Sequence, residues 1–150
     1  NHDESLEWHL LQYDSHRGLQ QWVEHLNQLY RREPALHELD FSPAGFEWID
    51  CNDADHSVIS LIRKGRSPGE VVLIVCNFTP VPHHNYLVGA PQGGGWQEVL
   101  NSDAPQYGGS GYSTSQNLAA APLPHHGRPH SLSLTLPPLA IVFLKREGRT

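Results

Sequence analysis

Eleven histidines are the first side chains in this sequence that could do chemistry, because imidazole binds metals and transfers protons. Two pairs are adjacent in the chain, His83 with His84 and His125 with His126. Neighbouring residues on a strand point to opposite faces of a sheet, so such a pair rarely holds one ion. No His-Glu-x-x-His or Cys-x-x-Cys motif accompanies them. We therefore predict exposed loop histidines, with no metal site and no cofactor.

Nucleophilic and acid–base catalysis have equally little support. The sequence contains no Gly-x-Ser-x-Gly elbow, and neither Cys51 nor Cys76 lies among basic residues. Asp50, Asp53 and Asp55 cluster between two predicted strands, where aspartates ordinarily shape turns. A retaining glycosidase needs two carboxyl groups about 5 Å apart on rigid elements. We therefore predict no catalytic residue in this chain.

Aromatic side chains are the remaining candidates for ligand binding, since their flat faces stack on sugar rings. Trp22 belongs to the apolar face of a predicted helix, and Trp48 is expected in the core. Trp96, Tyr107 and Tyr112 lie beside glycine-rich segments, where we expect more exposure. These three are our candidate carbohydrate contacts, although large aromatics are more often buried for packing alone.

The amino-acid composition and the net charge indicate which kinds of molecule this protein could bind. The 150 residues include 38% hydrophobic and 17% charged residues, as in a folded globular domain. The net charge is −6, and the sequence contains no run of Lys or Arg. Nucleic acid and anionic membranes both require a basic surface, so we exclude both as partners. A neutral, polyhydroxylated ligand fits this balance better.

The compartment follows from the cysteines and from the apolar runs. Cys51 and Cys76 suggest no disulfide framework, and we predict two reduced thiols. The first residues do not resemble a signal peptide, and no run approaches the ~20 apolar residues of a membrane span. We therefore expect a cytoplasmic protein.

The strongest periodic signal is a helix over residues 15–33. Apolar residues recur there at the spacing of one helical face, and Pro34 ends the helix. The residues of this face are Leu19, Trp22, Val23, Leu26, Leu29 and Tyr30.

From about residue 45 the period changes to that of strands. Runs rich in Val, Ile, Leu and aromatics, bounded by turn residues, predict strands over 46–50, 57–64, 70–78, 84–88, 96–100, 131–136 and 140–145. Residues 71–76 are nearly all apolar, as in a central strand covered on both faces. Residues 102–130 are rich in Ser, Gly, Ala and Pro, and we expect a long loop. The predicted fold is an antiparallel β-sandwich preceded by one amphipathic helix.

Several segments resemble, in order, those of bacterial glycogen branching enzymes of the α-amylase superfamily. They are Leu6-Glu7-Trp8-His9-Leu10-Leu11, His16-Arg17-Gly18, Leu26-Asn27-Gln28-Leu29-Tyr30-Arg31, His37-Glu38-Leu39-Asp40-Phe41, Gly45-Phe46-Glu47-Trp48-Ile49, Asn77-Phe78-Thr79-Pro80-Val81-Pro82, Leu100-Asn101-Ser102-Asp103 and Ser131-Leu132-Ser133-Leu134-Thr135-Leu136-Pro137-Pro138-Leu139-Ala140. The resemblance covers essentially the whole chain.

The resemblance implies a 1,4-α-glucan branching enzyme, which transfers α-1,4-glucan segments to form α-1,6 branches. It implies that residues 1–35 end the catalytic (β/α)8 barrel and that residues 36–147 form a C-terminal β domain. No segment resembles the family's catalytic motifs, so no catalytic residue is carried over, and the 150-residue segment alone is expected to be inactive. Trp96, Tyr107 and Tyr112 would then be contacts to glucan.

The amphipathic helix helps to distinguish two hypotheses, a part of a larger enzyme and a free-standing module. As part of the whole enzyme, its apolar face would pack on the enzyme's own barrel. In an isolated chain that face must dock on the sandwich, pair with a second copy, or remain exposed, and we expect self-association or docking. The alternative is a free-standing carbohydrate-binding or interaction module, which has no need of such a face.

Overall fold

The protein is described here from a computed structural model, which covers residues 2–114 and 118–147. Eight strands form in this part of the chain, and seven of them lie where the sequence predicts strands. They are β1 Phe46–Asp53, β2 Val58–Lys64, β3 Val71–Asn77, β4 His83–Ala90, β5 Gly94–Asn101, β6 Leu118–Ala120, β7 His130–Leu136 and β8 Ala140–Arg146. No helix within the described ranges is long and apolar enough to span a membrane.

The strands form two antiparallel sheets that face each other. The larger sheet has the order β1-β2-β3-β8-β5-β6, and the smaller one pairs β4 with β7. Apolar side chains from both sheets interleave in one core between the layers, where alternate residues of β3 and β7 are almost fully buried. This inner core includes Val71, Leu73, Val75, Trp96, Leu132, Leu134, Leu136, Val142 and Leu144. The predicted β-sandwich is confirmed.

Within the predicted long, partly ordered loop at 102–130, the described residues form short regular elements. A short 3-10 turn forms at Pro105–Tyr107, and β6 pairs with the beginning of β5. A single bridge then joins Ala121 to Ser131 next to β7. A strand of three residues is too short to show a two-residue period, so the pattern along the sequence could not reveal β6.

The helix α1 spans Asp14–Arg32, within one residue of the predicted bounds, and lies on the outer face of the large sheet. β3 is buried on both faces, as predicted for a central strand: Val71, Leu73 and Val75 point to the inner core, while Val72 and Ile74 point to the outer one. The outer core is completed by Leu29 of the helix and by residues from the turn that follows it and from β5 and β8, namely Ala35, Leu36, Leu100 and Phe143.

Ion pairs fasten the helix and the segment after it to the sheet. Glu33 is buried at the end of α1, and its carboxylate accepts a hydrogen bond from the Lys145 ammonium of β8. The Arg63 guanidinium of β2 donates to the Asp40 carboxylate and to the Gly45 carbonyl at 3.1 Å. Hydrogen bonds to Asp40 from Arg63 and then from Tyr30 lower the pKa of that carboxyl. Both strand β8 and strand β2 are therefore tied to residues 30–45.

The first prediction concerns the outer core. Leu29 is 2% exposed between α1 and the sheet, whereas Leu19 on the same helix is 61% exposed. Because a cavity forms where a buried leucine is truncated, Leu29→Ala should lower the free energy of unfolding by about 2–5 kcal/mol. Leu19→Ala, the matched control, should change it by less than about 0.5 kcal/mol. Urea denaturation measures both, and equal effects would contradict the docked position of the helix.

The second prediction concerns the close approach of the helix to the turn at Pro105–Tyr107. A Cβ atom at Gly18 would lie 2.7 Å from the backbone oxygen of Tyr107, and backbone cannot move aside cheaply. Gly18→Ala should therefore destabilise the protein by about 1–2 kcal/mol, although alanine favours helix by up to about 1 kcal/mol.

The control for this substitution is Gly69→Ala. No atom lies within 4 Å of a Cβ built at Gly69, so that variant should be at least as stable as the unmodified chain, with a gain of up to about 1 kcal/mol from the stiffer unfolded chain. A Gly18→Ala variant that is as stable as the Gly69→Ala variant would sink the prediction.

Candidate functional site

The predicted single apolar face of α1 is divided into two stripes in the structure. Gly18, Trp22, His25 and Leu29 follow the i, i+4, i+7, i+11 spacing of one stripe and face the β domain. The second stripe consists of Leu19, Val23 and Tyr30, all exposed, and Leu26 lies between the two. A helix with two apolar stripes has one surface for this domain and a second surface for something else.

Tyr107 connects the first stripe to the sandwich. Its ring packs edge-on against Trp22, with ring centroids 5.3 Å apart, and its hydroxyl lies 2.6 Å from Nδ1 of His25. Its backbone touches the helix where Gly18 lacks a side chain. Helix and loop are thus joined by one packed ring and one hydrogen bond between residues 82 positions apart.

The loop that carries Tyr107 is shaped by a buried carboxylate. Asp103 accepts hydrogen bonds from the backbone N–H groups of Ser110 at 2.8 Å and of Tyr112 at 2.9 Å, and from the Ser110 hydroxyl. The Asn101 side chain donates to the Tyr112 carbonyl and accepts from the Asp103 N–H, both at 2.9 Å. Such local side-chain bonds replace regular secondary structure, so residues 102–114 have a defined shape.

The second stripe of α1 is not the only exposed apolar group in this part of the chain. The residues before the helix expose further large apolar side chains, and the whole set is Leu6, Trp8, Tyr13, Leu19, Val23 and Tyr30. Where such side chains are contiguous, they mark an interaction surface. We call these six residues the exposed stripe.

The uncovered edge of the large sheet adds an aromatic pair. Phe46 and Trp48 of β1 pack edge-on with ring centroids 4.9 Å apart, and Trp48 pairs across the strands with Leu61 of the outer core. Trp48 is 47% exposed, so its predicted place in the core is wrong. It lies on the outer face beyond the helix, where no described element covers it.

The three aromatics proposed as sugar contacts have different environments. Trp96 is fully buried in the inner core, and its indole N–H donates to the Gln92 carbonyl at 3.3 Å, so its predicted exposure is wrong. β5 already begins at Gly94, so the glycines do not form an open loop, and the side chain that follows them points inward. The Tyr107 side chain packs against Trp22 and His25 of the helix. Tyr112 is 40% exposed, and its ring centroid lies 6.1 Å from that of His84.

The acidic cluster is used for turns and hydrogen bonds. Asp50 accepts from the Asn52 N–H at 2.9 Å and Asp53 from the His56 N–H at 3.1 Å, which confirms the turn interpretation. Within the described ranges, no group of three or more His, Cys, Asp or Glu side chains is arranged to hold a metal ion. Both cysteines are free, as predicted, and burial raises the pKa of the Cys76 thiol to about 11.

Two residues at the helix–loop junction were missed by the sequence analysis. His25 lies on the polar side of the predicted helix face, and only the fold brings it to Tyr107. Asp103 had a local signal, because an Asn-x-Asp triplet before Pro and Gly is typical of side-chain-capped turns.

The comparisons with known proteins agree with this architecture. Residues 48–147 match the family model of the alpha amylase C-terminal all-beta domain. The chain is also 57% identical over 148 residues to the 1,4-alpha-glucan branching enzyme of Aquifex aeolicus, covering 99% of this chain and 24% of that protein.

Two further relatives are also 1,4-alpha-glucan branching enzymes by name. Identity is 53% over 146 residues to the 1,4-alpha-glucan branching enzyme of Aromatoleum aromaticum, and 54% over 140 residues to that of Rubrobacter xylanophilus. These alignments cover 97% and 93% of this chain but 23% and 19% of the two relatives. The chain therefore spans about a quarter or less of the length of these curated relatives.

The resemblance to branching enzymes is thus confirmed along the chain. The family match begins inside β1 and ends just after β8, so it covers the sandwich. The chain belongs to the family of alpha amylase C-terminal all-beta domains.

Proposed function

We propose that this chain is the C-terminal, non-catalytic part of a 1,4-α-glucan branching enzyme, and that it supports the catalytic barrel. The observation that carries the proposal is the exposed stripe, together with whole-chain similarity to branching enzymes of about four times this length. An apolar surface of this size needs a partner, and in a longer enzyme the partner is the rest of the same chain.

The division of the chain follows from this proposal. Residues 1–35 form the last segment of the barrel, and residues 36–147 form the β domain. α1 then lies between the sandwich and the barrel. Its first stripe packs on the sandwich through Leu29 and Trp22, and its second stripe packs on the barrel. The partner of the whole enzyme is α-glucan. In this arrangement the aromatic pair of β1, Phe46 and Trp48, extends the surface that faces the barrel. A cytoplasmic location is part of the proposal, and it fits two free thiols.

The third prediction tests the supporting role with a chimera. This chain would replace the matching C-terminal region of the Aquifex aeolicus branching enzyme, and branching of amylose would be followed by the loss of iodine staining. The chimera should branch amylose, and the 150-residue chain alone should not. The paired substitution Leu19→Asp and Val23→Asp should reduce the active fraction of the chimera at least about tenfold, since burying unpaired carboxylates costs several kcal/mol.

The control for the chimera is Leu123→Asp, which changes an equally exposed leucine outside the exposed stripe. That variant should keep full activity. Branching by the isolated chain would overturn the non-catalytic assignment. A chimera unaffected by the paired substitution would instead favour a free-standing module over a supporting domain.

The fourth prediction concerns the isolated chain. Leu29, predicted as part of the associating face, is buried in the outer core, and Trp22 and Leu26 are partly buried against it, so these three are not available to a second copy. The exposed stripe has no cover, and the chain should therefore self-associate through Leu19, Val23 and Tyr30. Sedimentation velocity should show a mean mass that rises with protein concentration.

Val23→Glu should shift this equilibrium at least about tenfold toward monomer, because a charge within an apolar contact loses its hydration. Leu123→Glu should leave the equilibrium unchanged. A chain that remains monomeric at every concentration would refute self-association.

A further inference from the structure

A cleft of about 410 Å³ opens on the side of the sandwich opposite to α1, beside strand β4. Its walls come from the turn after β1, from the beginning of β4 and from the turn at residues 125–128. The side chains that matter for its chemistry are Asp53, His56, His83, His84, Tyr86 and His126. None of them contributes to the helix, to the exposed stripe or to the supporting role.

Irregular backbone brings the histidines together. The pairing of β4 with β7 slips between His83 and Tyr86, and Asn85 has a positive φ of 55°. The turn at 125–128 has a second positive φ, 48° at His126, and the rings of His125 and His126 lie 4.0 Å apart. The rule that adjacent residues point apart holds on regular strands. His83 and His84 begin β4, so their predicted loop position is wrong, but they lie where its pairing is irregular, and His125 and His126 lie in a turn.

The floor of the cleft is a fixed hydrogen-bond network. The Asp53 carboxylate accepts from the Tyr86 hydroxyl at 2.8 Å and lies 2.9 Å from Nδ1 of His56. Burial alone would raise the pKa of Asp53, but the bonds from His56 and Tyr86 outweigh it, so the carboxyl stays ionised. Burial, and then the bond to Asp53, raises the pKa of Tyr86. The network fixes both rings and leaves their remaining polar atoms available to a ligand.

The charge of the cleft disfavours an anionic ligand and is compatible with a neutral one. No Lys or Arg is among the described residues that line it, and the carboxylates of Asp53 and Asp50 lie in or beside it. Neutral imidazole and the Asn85 amide each carry a donor and an acceptor, as a sugar hydroxyl does. Nε2 of His126 lies 3.5 Å from the Asp50 carboxylate and its Nδ1 is buried, so this histidine shapes the wall of the cleft, and hydrogen bonding to a ligand falls to His56 and His84.

The aromatic ring of Tyr112 lies at the rim of the cleft. Tyr112 is 40% exposed, and its ring lies 6.1 Å from that of His84, centroid to centroid. Its main chain is held on both sides, by Asp103 at its N–H and by Asn101 at its carbonyl. The ring is therefore presented to solvent from a rigid loop, which lowers the entropy cost of stacking.

We propose that this cleft, with Tyr112 at its rim, is a binding site for an α-1,4-glucan segment away from the catalytic barrel. One glucose ring stacks on Tyr112, and hydroxyls of the neighbouring units hydrogen-bond to His84 and His56. The identity of the sugar rests on the function proposed above, whereas the preference for a neutral polyhydroxylated chain rests on the cleft itself.

The fifth prediction is tested on the 150-residue chain with maltoheptaose. Amide chemical shifts should change at Tyr112, His84 and His56 during the titration, and the affinity should be obtained from the same data. Removing a stacked ring forfeits about 0.5–1.5 kcal/mol, so Tyr112→Ala should weaken binding about two- to twelvefold. His84→Ala should weaken it comparably, and Tyr112→Phe, which keeps the ring, should bind as well as the unmodified chain.

The control is Phe78→Ala, which removes an exposed aromatic outside this cleft and should leave the affinity unchanged. Absence of any titration, shifts confined to other surfaces, or equal affinities for Tyr112→Ala and Tyr112→Phe would each overturn the proposal. Failure here leaves the chimera result untouched, because the chimera reports support of the barrel, and this titration reports glucan binding by the chain itself.

Discussion

The large sheet has central strands that are apolar on both faces, and the other layers of the molecule follow from that constraint. Successive residues of β3, such as Leu73 and Ile74, point into different cores. Leaving either face in water would cost roughly 25 cal/mol for each Å² of apolar surface. The inner face is covered by the two-stranded sheet, and the outer face by α1 and the turn after it. The helix is therefore a structural layer of this domain.

α1 does not cover the whole outer face of the large sheet. Trp48 at the β1 edge and the exposed stripe on the helix remain in solvent. In the proposed whole enzyme, a helix shared with the barrel would transmit position from one to the other, because neither contact could shift without moving it. The Tyr107–His25 bond holds the middle of the helix on the sandwich, and the Glu33–Lys145 pair holds its C-terminal end.

Local patterns were sufficient for the helix and for seven strands, because each has enough residues to show its period. The same patterns could not predict which side chains are buried. Trp48 and Trp96 both lie on strands, and an alternating pattern says only that neighbours point to opposite faces. Which face is covered depends on elements far away in the chain: β7 covers the face of Trp96, and nothing described covers that of Trp48. The pairing of His25 with Tyr107 was hidden for the same reason, and so was the histidine cleft, which depends on two positive φ angles.

The order of strands in the large sheet has a consequence for how the chain is made. β8 is late in the sequence but central in the sheet, between β3 and β5. Until the ribosome has delivered residues 140–146, β3 and β5 have no common neighbour, and the helix synthesised first has no finished surface to dock on. Completion of the fold depends on contacts of long sequence separation, which form slowly and leave apolar strand edges open in the meantime. Nascent chains of this protein should therefore be clients of chaperones until translation has passed the last strand.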